Sequence, residues 1–127
     1  MSVHTVTTES DLERVLEQHS IALLDFWASW CPPCREFLPV FEAAAERHSD
    51  LAFCRVNADE AKDLKQGFDV KSIPTLVVIR DRIMIAAQPG YLPEAALEDL
   101  IAQVKALNMD DVRQEIAADM SKEGGVA

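Results

Sequence analysis

Basic residues are scarce in this chain of 127 residues, with 12 Lys and Arg against 22 Asp and Glu, so the net charge is −10. Phosphate backbones are bound by clustered Lys and Arg, and the shortage argues against a nucleic-acid partner. No stretch approaches the roughly 20 apolar residues that span a bilayer. The first residues also lack the basic and then apolar pattern of an export signal. We therefore expect a cytoplasmic protein that has no membrane partner.

Cysteine is scarce too, and the three cysteines do not form the even framework of a small disulfide-stapled secreted protein. Two of them, Cys31 and Cys34, are separated by two residues. In a chain without an export signal, such a pair is typical of a catalytic dithiol or of half a metal site. Tetrahedral zinc needs two further ligands. The remaining candidates, none arranged as a second pair, are His4, His19, His48 and Cys54. Redox chemistry is therefore favoured over zinc, and Cys54 is expected to be a buried small hydrophobe.

The cysteine pair lies where a predicted strand gives way to a predicted helix. Residues 21–28 are apolar on both alternating faces apart from Asp25, which is typical of a strand covered on both sides. Residues 36–47 repeat apolar side chains at helical spacing. Cysteines at i and i+3 of a helix lie roughly 5 to 6 Å apart, within reach of a disulfide. Because the unpaired N–H groups of a helix start favour a thiolate, the spacing predicts Cys31 as the nucleophile and Cys34 as the resolving thiol.

The remaining pattern alternates strands and helices and ends in a hairpin and a helix. It predicts an α/β fold with a mixed central sheet flanked by helices on both faces. Residues 10–13 read as a capping box that starts the first helix, residues 58–68 as a short helix, and residues 80–82 as a hairpin turn that lacks glycine.

We expect one domain over residues 1–107 and a C-terminal extension over residues 108–127. The extension is predicted to form an amphipathic helix, with apolar residues at spacings of three and four. These residues are Met109, Val112, Ile116 and Met120. The pattern leaves open whether the helix packs on the domain, binds a partner or frays.

Residues 25–34, DFWASWCPPC, resemble the active-site region of the thioredoxin family. Residues 72–75, SIPT, resemble the segment in which that family carries a cis-proline facing the dithiol. The resemblance extends over about residues 3–107. It implies the thioredoxin fold and a protein-disulfide oxidoreductase that acts mainly as a reductase in cell redox homeostasis. Its redox-active centre would be the reversible Cys31–Cys34 disulfide, with no bound cofactor and no metal.

The resemblance also implies roles for residues around the dithiol. Asp25 would be a buried acid that accepts the proton of Cys34, directly or through a water. The alternative is an aspartate at a strand end that reaches solvent or a helix cap. Pro74 would be cis and would place the backbone of Ile73 beside Cys31 for an extended substrate segment; its alternative is an ordinary proline entering a strand. The implied substrate-docking rim consists of Trp30, Pro32, Ile73, Gly90 and Tyr91.

Three residues depart from the family pattern. Arg55 stands where family members often carry Lys, which puts a proton-tuning role for this position in doubt because Arg is always charged. Pro32 stands where the best-known thioredoxins have Gly, and it removes an N–H near the sulfur. We expect Pro32 to shift the reduction potential of the cysteine pair, but the sequence does not give the direction of the shift. Tyr91 replaces a smaller residue, which predicts a narrower choice of partners.

The implied partners are disulfide-containing protein substrates and a flavin-dependent thioredoxin reductase that uses NADPH. We expect a monomer. A rival hypothesis is a binding module, in which the rim and the acidic tail serve a chaperone or assembly factor and the dithiol is incidental. A third is a dedicated oxidant or isomerase.

Overall fold

The structure is a computed structural model that describes the backbone of residues 3–126 and the side chains of residues 3–120. Strands and helices alternate as the sequence pattern predicts. In chain order they are β1 (Val3–Thr5), α1 (Glu9–Gln18), β2 (Ile21–Trp27), α2 (Pro32–Arg47), β3 (Ala52–Asn57), α3 (Lys62–Gly67), β4 (Thr75–Arg80), β5 (Ile83–Pro89), α4 (Glu94–Ala106) and α5 (Met109–Val126).

Within the described range the strands form one mixed sheet of five strands, in the order β1-β3-β2-β4-β5. The first three are parallel, and β4 and β5 join as antiparallel neighbours. The central strand β2 is buried along nearly its whole length, which explains its continuous apolar run. The predicted α/β architecture is confirmed.

Side chains of β2 alternate between two apolar layers, one on each face of the sheet. Leu24 and Phe26 belong to the layer that includes α1 and α3, whereas Leu23 belongs to the layer that includes α2 and α4. Successive side chains of a strand point to opposite faces. Asp25 therefore faces the layer of α2, the helix that carries the cysteine pair.

Two predicted helix starts are wrong. Helix α1 is capped by Thr8, whose hydroxyl accepts from the N–H of Asp11 at 3.1 Å, so it begins before the predicted box at Ser10. The Asp11 carboxylate accepts in return from the N–H of Thr8 at 3.1 Å. Helix α3 begins only at Lys62, because the preceding residues form a turn that hydrogen-bonds to Asn57.

The end of α4 is held by a side chain from the sheet. Nη1 of Arg80 donates to the carbonyl oxygens of Val104 at 2.8 Å, Lys105 at 3.2 Å and Leu107 at 2.8 Å. The Val104 carbonyl also accepts from the N–H of the C-cap residue Leu107 at 3.4 Å. The guanidinium supplies further hydrogen bonds to the carbonyls at this helix end, where the regular helical pattern stops.

The predicted C-terminal helix is present as α5. Met109 at its start is buried, whereas Ile116 and Met120 are exposed. Arg113 lies 3.5 Å from Asp81 in the β4–β5 turn. The predicted apolar face of α5 therefore packs on the domain in its first turn only. The described part of this face beyond the first turn lies in solvent.

Candidate active site

The start of α2 carries the cysteine pair. Cys31 is the N-cap residue, and its Sγ accepts a hydrogen bond from the N–H of Cys34 at 3.3 Å. The two sulfurs form a disulfide with a Cα–Cα distance of 5.3 Å. Proline suits the first position of a helix, because the N–H it lacks would have no helical partner there.

Two successive prolines also change what faces the sulfur of Cys31. Pro32 and Pro33 occupy the first two helix positions, and neither carries a backbone N–H. The N–H of Cys34 is then the first one in the helix that points to this sulfur. A thiolate at Cys31 would be stabilised by this donor and by the positive end of the helix.

Asp25 is a buried acid on the same face of the sheet as α2, with no exposed surface. Among the described residues, neither of its carboxyl oxygens has a hydrogen-bond partner. Burial penalises the charged form and raises the pKa of Asp25 to about 7, against a smaller lowering by the charge of Arg55. The group can therefore hold or release a proton near neutral pH.

Arg55 brings a permanent positive charge to this acid. The two residues are paired in the register of β2 and β3, and Nε of Arg55 lies 3.8 Å from Oδ2 of Asp25. The guanidinium carbon lies 3.9 Å from the centroid of the Trp27 ring, a cation–π arrangement that fixes its position. Arg55 and Cys34 both line a cleft of about 280 Å³.

The second motif lies against the cysteine pair. The Ile73–Pro74 peptide bond is cis, and Ile73 packs on the small apolar cluster that contains both cysteines. The carbonyl of Pro74 accepts from the N–H of Gly90 at 2.8 Å. Gly90 has a φ of 89°, a conformation that favours glycine. This hydrogen bond ties the end of β5 to the cis-proline segment.

The predicted rim residues differ in how they are held. Trp30 is 64% exposed and Tyr91 is 43% exposed. The ring of Tyr91 meets the edge of the buried Phe37 ring, with 6.3 Å between centroids. The structure thus brings Ile73 to Cys31, Gly90 to Pro74, and Tyr91 to α2.

One neighbour of the dithiol is missing from the sequence prediction. Nε1 of Trp30 donates to Oδ2 of Asp59 at 2.9 Å, although the residues are 29 positions apart. Asp59 belongs to the turn after β3, where its own N–H donates to Oδ1 of Asn57 at 2.9 Å. The sequence carries no signal for this contact, because it depends on how the ends of β2 and β3 meet.

The third cysteine lies apart from the pair. Cys54 is fully buried in the layer of α1 and α3, across the sheet from α2. Burial raises the pKa of the Cys54 thiol to about 12, so it stays protonated. Among the residues with described side chains, no group of three or more His, Cys, Asp and Glu could hold a metal ion. Nor is any described helix both long and apolar enough to cross a membrane.

The chain is similar in sequence and fold to known proteins. The Thioredoxin family model matches residues 2–103. A Streptomyces coelicolor protein named "Putative thioredoxin 2" is 43% identical over 117 residues, covering 92% of this chain and 87% of the relative. Thioredoxin-1 of Caenorhabditis elegans is 35% identical and covers 77% of this chain and 87% of its own length. A solved mutant thioredoxin from Halobacterium salinarum superposes with a TM-score of 0.79 at 33% identity, covering 84% of this chain and 94% of that one. The chain therefore belongs to the thioredoxin family and is a thiol–disulfide oxidoreductase with a redox-active cysteine pair.

Proposed function

We propose that this protein is a protein-disulfide reductase. The thiolate of Cys31 attacks one sulfur of a substrate disulfide, forms a mixed disulfide and expels the other substrate sulfur as a thiolate, which takes up a proton. Cys34 then loses its proton and attacks the sulfur of Cys31, which breaks the mixed disulfide and expels the second substrate sulfur as a thiolate that takes up a proton. The substrate disulfide is thereby reduced to two thiols, and the Cys31–Cys34 dithiol is oxidised to a disulfide. The observation that carries this proposal is the placement of the pair at the start of α2 with the buried Asp25 on the same face.

We assign Asp25 as the proton acceptor for Cys34. An acceptor is most effective when its pKa lies near the working pH. Burial brings the pKa of Asp25 to about 7, so near pH 7 about half of the molecules hold the carboxylate that can accept the proton. Cys34 lines the same cleft as Arg55, the residue paired with Asp25 in the register of β2 and β3.

We assign substrate docking to the rim of Trp30, Pro32, Ile73, Gly90 and Tyr91. Ile73 packs against the cysteine cluster, and its position beside the cis bond supports pairing with an extended substrate segment. Trp30, which directly precedes Cys31, and Tyr91, which packs on Phe37 of α2, both offer exposed apolar surface.

The catalytic cycle requires a reductant, since each turnover leaves the cysteines oxidised. We propose a thioredoxin reductase in this role, and a reducing compartment such as the cytoplasm as the setting. Residues 1–107 would form the catalytic domain and residues 108–127 an extension. This division is supported by the end of the family match at residue 103.

An insulin reduction assay tests the function. With dithiothreitol as the electron source, wild type should accelerate precipitation of the insulin B chain, and Cys31→Ser should lose the acceleration. In Cys34→Ser the mixed disulfide cannot be resolved, so a covalent adduct with a disulfide substrate should accumulate. A wild type that neither accelerates reduction nor yields an adduct would favour the binding-module hypothesis. The equilibrium of the pair with glutathione separates a reductase, which holds a stable disulfide, from an oxidant, which holds a stable dithiol.

A further inference from the structure

Trp30 is a large apolar side chain that is exposed to solvent. It directly precedes Cys31, and 64% of its surface is exposed. Its indole N–H donates to the Asp59 carboxylate at 2.9 Å, so the ring is held against a charged group. An exposed aromatic ring with a fixed orientation is typical of a binding surface.

Asp59 is itself held in place. The turn that carries it is closed by hydrogen bonds from Glu60 and Ala61 to the carbonyl of Asn57, at 3.1 and 2.8 Å. The preceding N–H, that of Ala58, donates to the carbonyl of Trp27 at 2.8 Å. The carboxylate is therefore fixed relative to the strand end that leads to the cysteines.

The charge of Asp59 is not neutralised within the described part of the chain. Asp59 takes part in none of the ion pairs formed there, and it is exposed to solvent. The neighbouring Glu60 is exposed as well, and the whole protein carries a net charge of −10. A positively charged group approaching the Trp30 ring is thus attracted and meets no competing internal cation.

An indole face with a carboxylate at its edge is a receptor for a cation. The ring quadrupole attracts a guanidinium or an ammonium, and the carboxylate accepts its hydrogen bonds. Arginine suits the site best because its flat guanidinium stacks on the ring and presents several donors at its edge.

We propose that Trp30 and Asp59 bind an arginine or lysine side chain of the substrate, close in sequence to the cysteine that Cys31 attacks. The substrate class is then proteins whose reducible disulfide lies in a basic segment. This inference rests on the proposed reductase function and adds a specificity to it. Because the ring and the carboxylate both attract the cation, we expect a preference in kcat/KM of roughly three- to tenfold over an uncharged substrate.

The test compares two disulfide-linked peptides that are identical except for Arg or Gln next to the target cysteine. The kcat/KM ratio of the two peptides is measured for wild type, Asp59→Asn and Trp30→Leu. A ratio taken within one variant cancels any change in the reactivity of the dithiol. Asn keeps an oxygen that can accept the indole N–H and removes the charge, so Asp59→Asn should lower the ratio and leave only the part that the ring contributes. Trp30→Leu should lower the ratio as well, and leave only the part that the carboxylate contributes.

Glu17→Gln is the matched control, because it removes one exposed negative charge at the end of α1, which leads into the start of β2, whereas Trp30 follows the other end of that strand. It should retain the wild-type preference. The proposal is wrong if the wild-type ratio is near one, or if the ratio falls as much in Glu17→Gln as in Asp59→Asn. Failure of the reductase itself is distinguishable, because wild type would then not reduce the Gln peptide either.

Discussion

Replacing Asp25 by Asn should remove a pH-dependent loss of stability. The folded protein keeps a proton on Asp25 up to about pH 7, whereas the unfolded chain releases it near 3.8. Between these values the unfolded state binds fewer protons, so stability falls as pH rises, by about 1.4 kcal/mol per pH unit. Over this interval the loss adds to about 4 kcal/mol. Asp25 has no exposed surface, so solvent screening does not reduce this figure appreciably.

The assay is guanidinium denaturation of oxidised wild type and Asp25→Asn from pH 4 to pH 9. Oxidised protein is used because the paired thiols do not titrate. The stability of the Asn variant relative to wild type should rise by about 4 kcal/mol between pH 4 and pH 8 and then level off. Asp119→Asn, an exposed replacement on α5, should show no such rise. A constant difference between wild type and Asp25→Asn across this range would refute the assignment of a raised pKa.

Substitutions at Arg55, Pro32 and Arg80 test contacts near the dithiol and away from it. The Arg55 charge lowers the pKa of Asp25, so in Arg55→Met the pH-dependent fall in stability should continue to a higher pH than in wild type. Arg55→Lys should restore the wild-type end point in part. An end point that is the same in wild type and Arg55→Met contradicts the coupling. Pro32→Gly returns an N–H to the first turn of α2, so the reduced variant should hold a larger fraction of Cys31 as thiolate at neutral pH than wild type. The thiolate is measured by its absorbance at 240 nm. A smaller thiolate fraction in the variant than in wild type would contradict this prediction. Arg80→Ala removes the guanidinium that donates to the last carbonyls of α4, so the free energy of unfolding should fall by about 1 to 3 kcal/mol. Denaturant unfolding measures this change, and an unchanged unfolding midpoint argues against a capping role for Arg80.

The order of elements could be predicted because periodicity reports burial directly. The apolar run of β2 marks a strand covered on both faces, and the single acid within it marks Asp25. Element ends were harder to predict. Thr8 and Ser10 are both suitable caps, and the choice of Thr8 depends on the carboxylate of Asp11, which accepts from the N–H groups of Thr7 and Thr8.

The turn between β4 and β5 forms although the sequence lacks the glycine that is typical of a hairpin turn, because tertiary structure holds it. Asp81 and Arg82 take φ values of 52° and 67°, which glycine adopts more easily. The N–H of Asp81 donates to the carbonyl of Ser20 at 2.8 Å, which anchors the turn to the start of β2.

Parts of the site that join distant segments could not be predicted from local pattern. The dithiol follows from spacing alone. The contact of Trp30 with Asp59 and the stacking of Arg55 on Trp27 depend on how β2 and β3 end side by side. The resemblance points to Trp30 and Arg55 but not to Asp59, and it does not supply the contacts that these residues make.

The burial of Cys54 limits the number of electrons that one molecule can transfer. Of the three sulfhydryls that the reduced chain possesses, one is sealed behind the sheet and stays protonated. Each polypeptide therefore delivers a single electron pair per cycle, and oxidation cannot cross-link folded copies through this residue. A colorimetric titration should count two reactive sulfhydryls in the native reduced protein and three once it is denatured, which provides an internal standard for the fraction of correctly folded molecules.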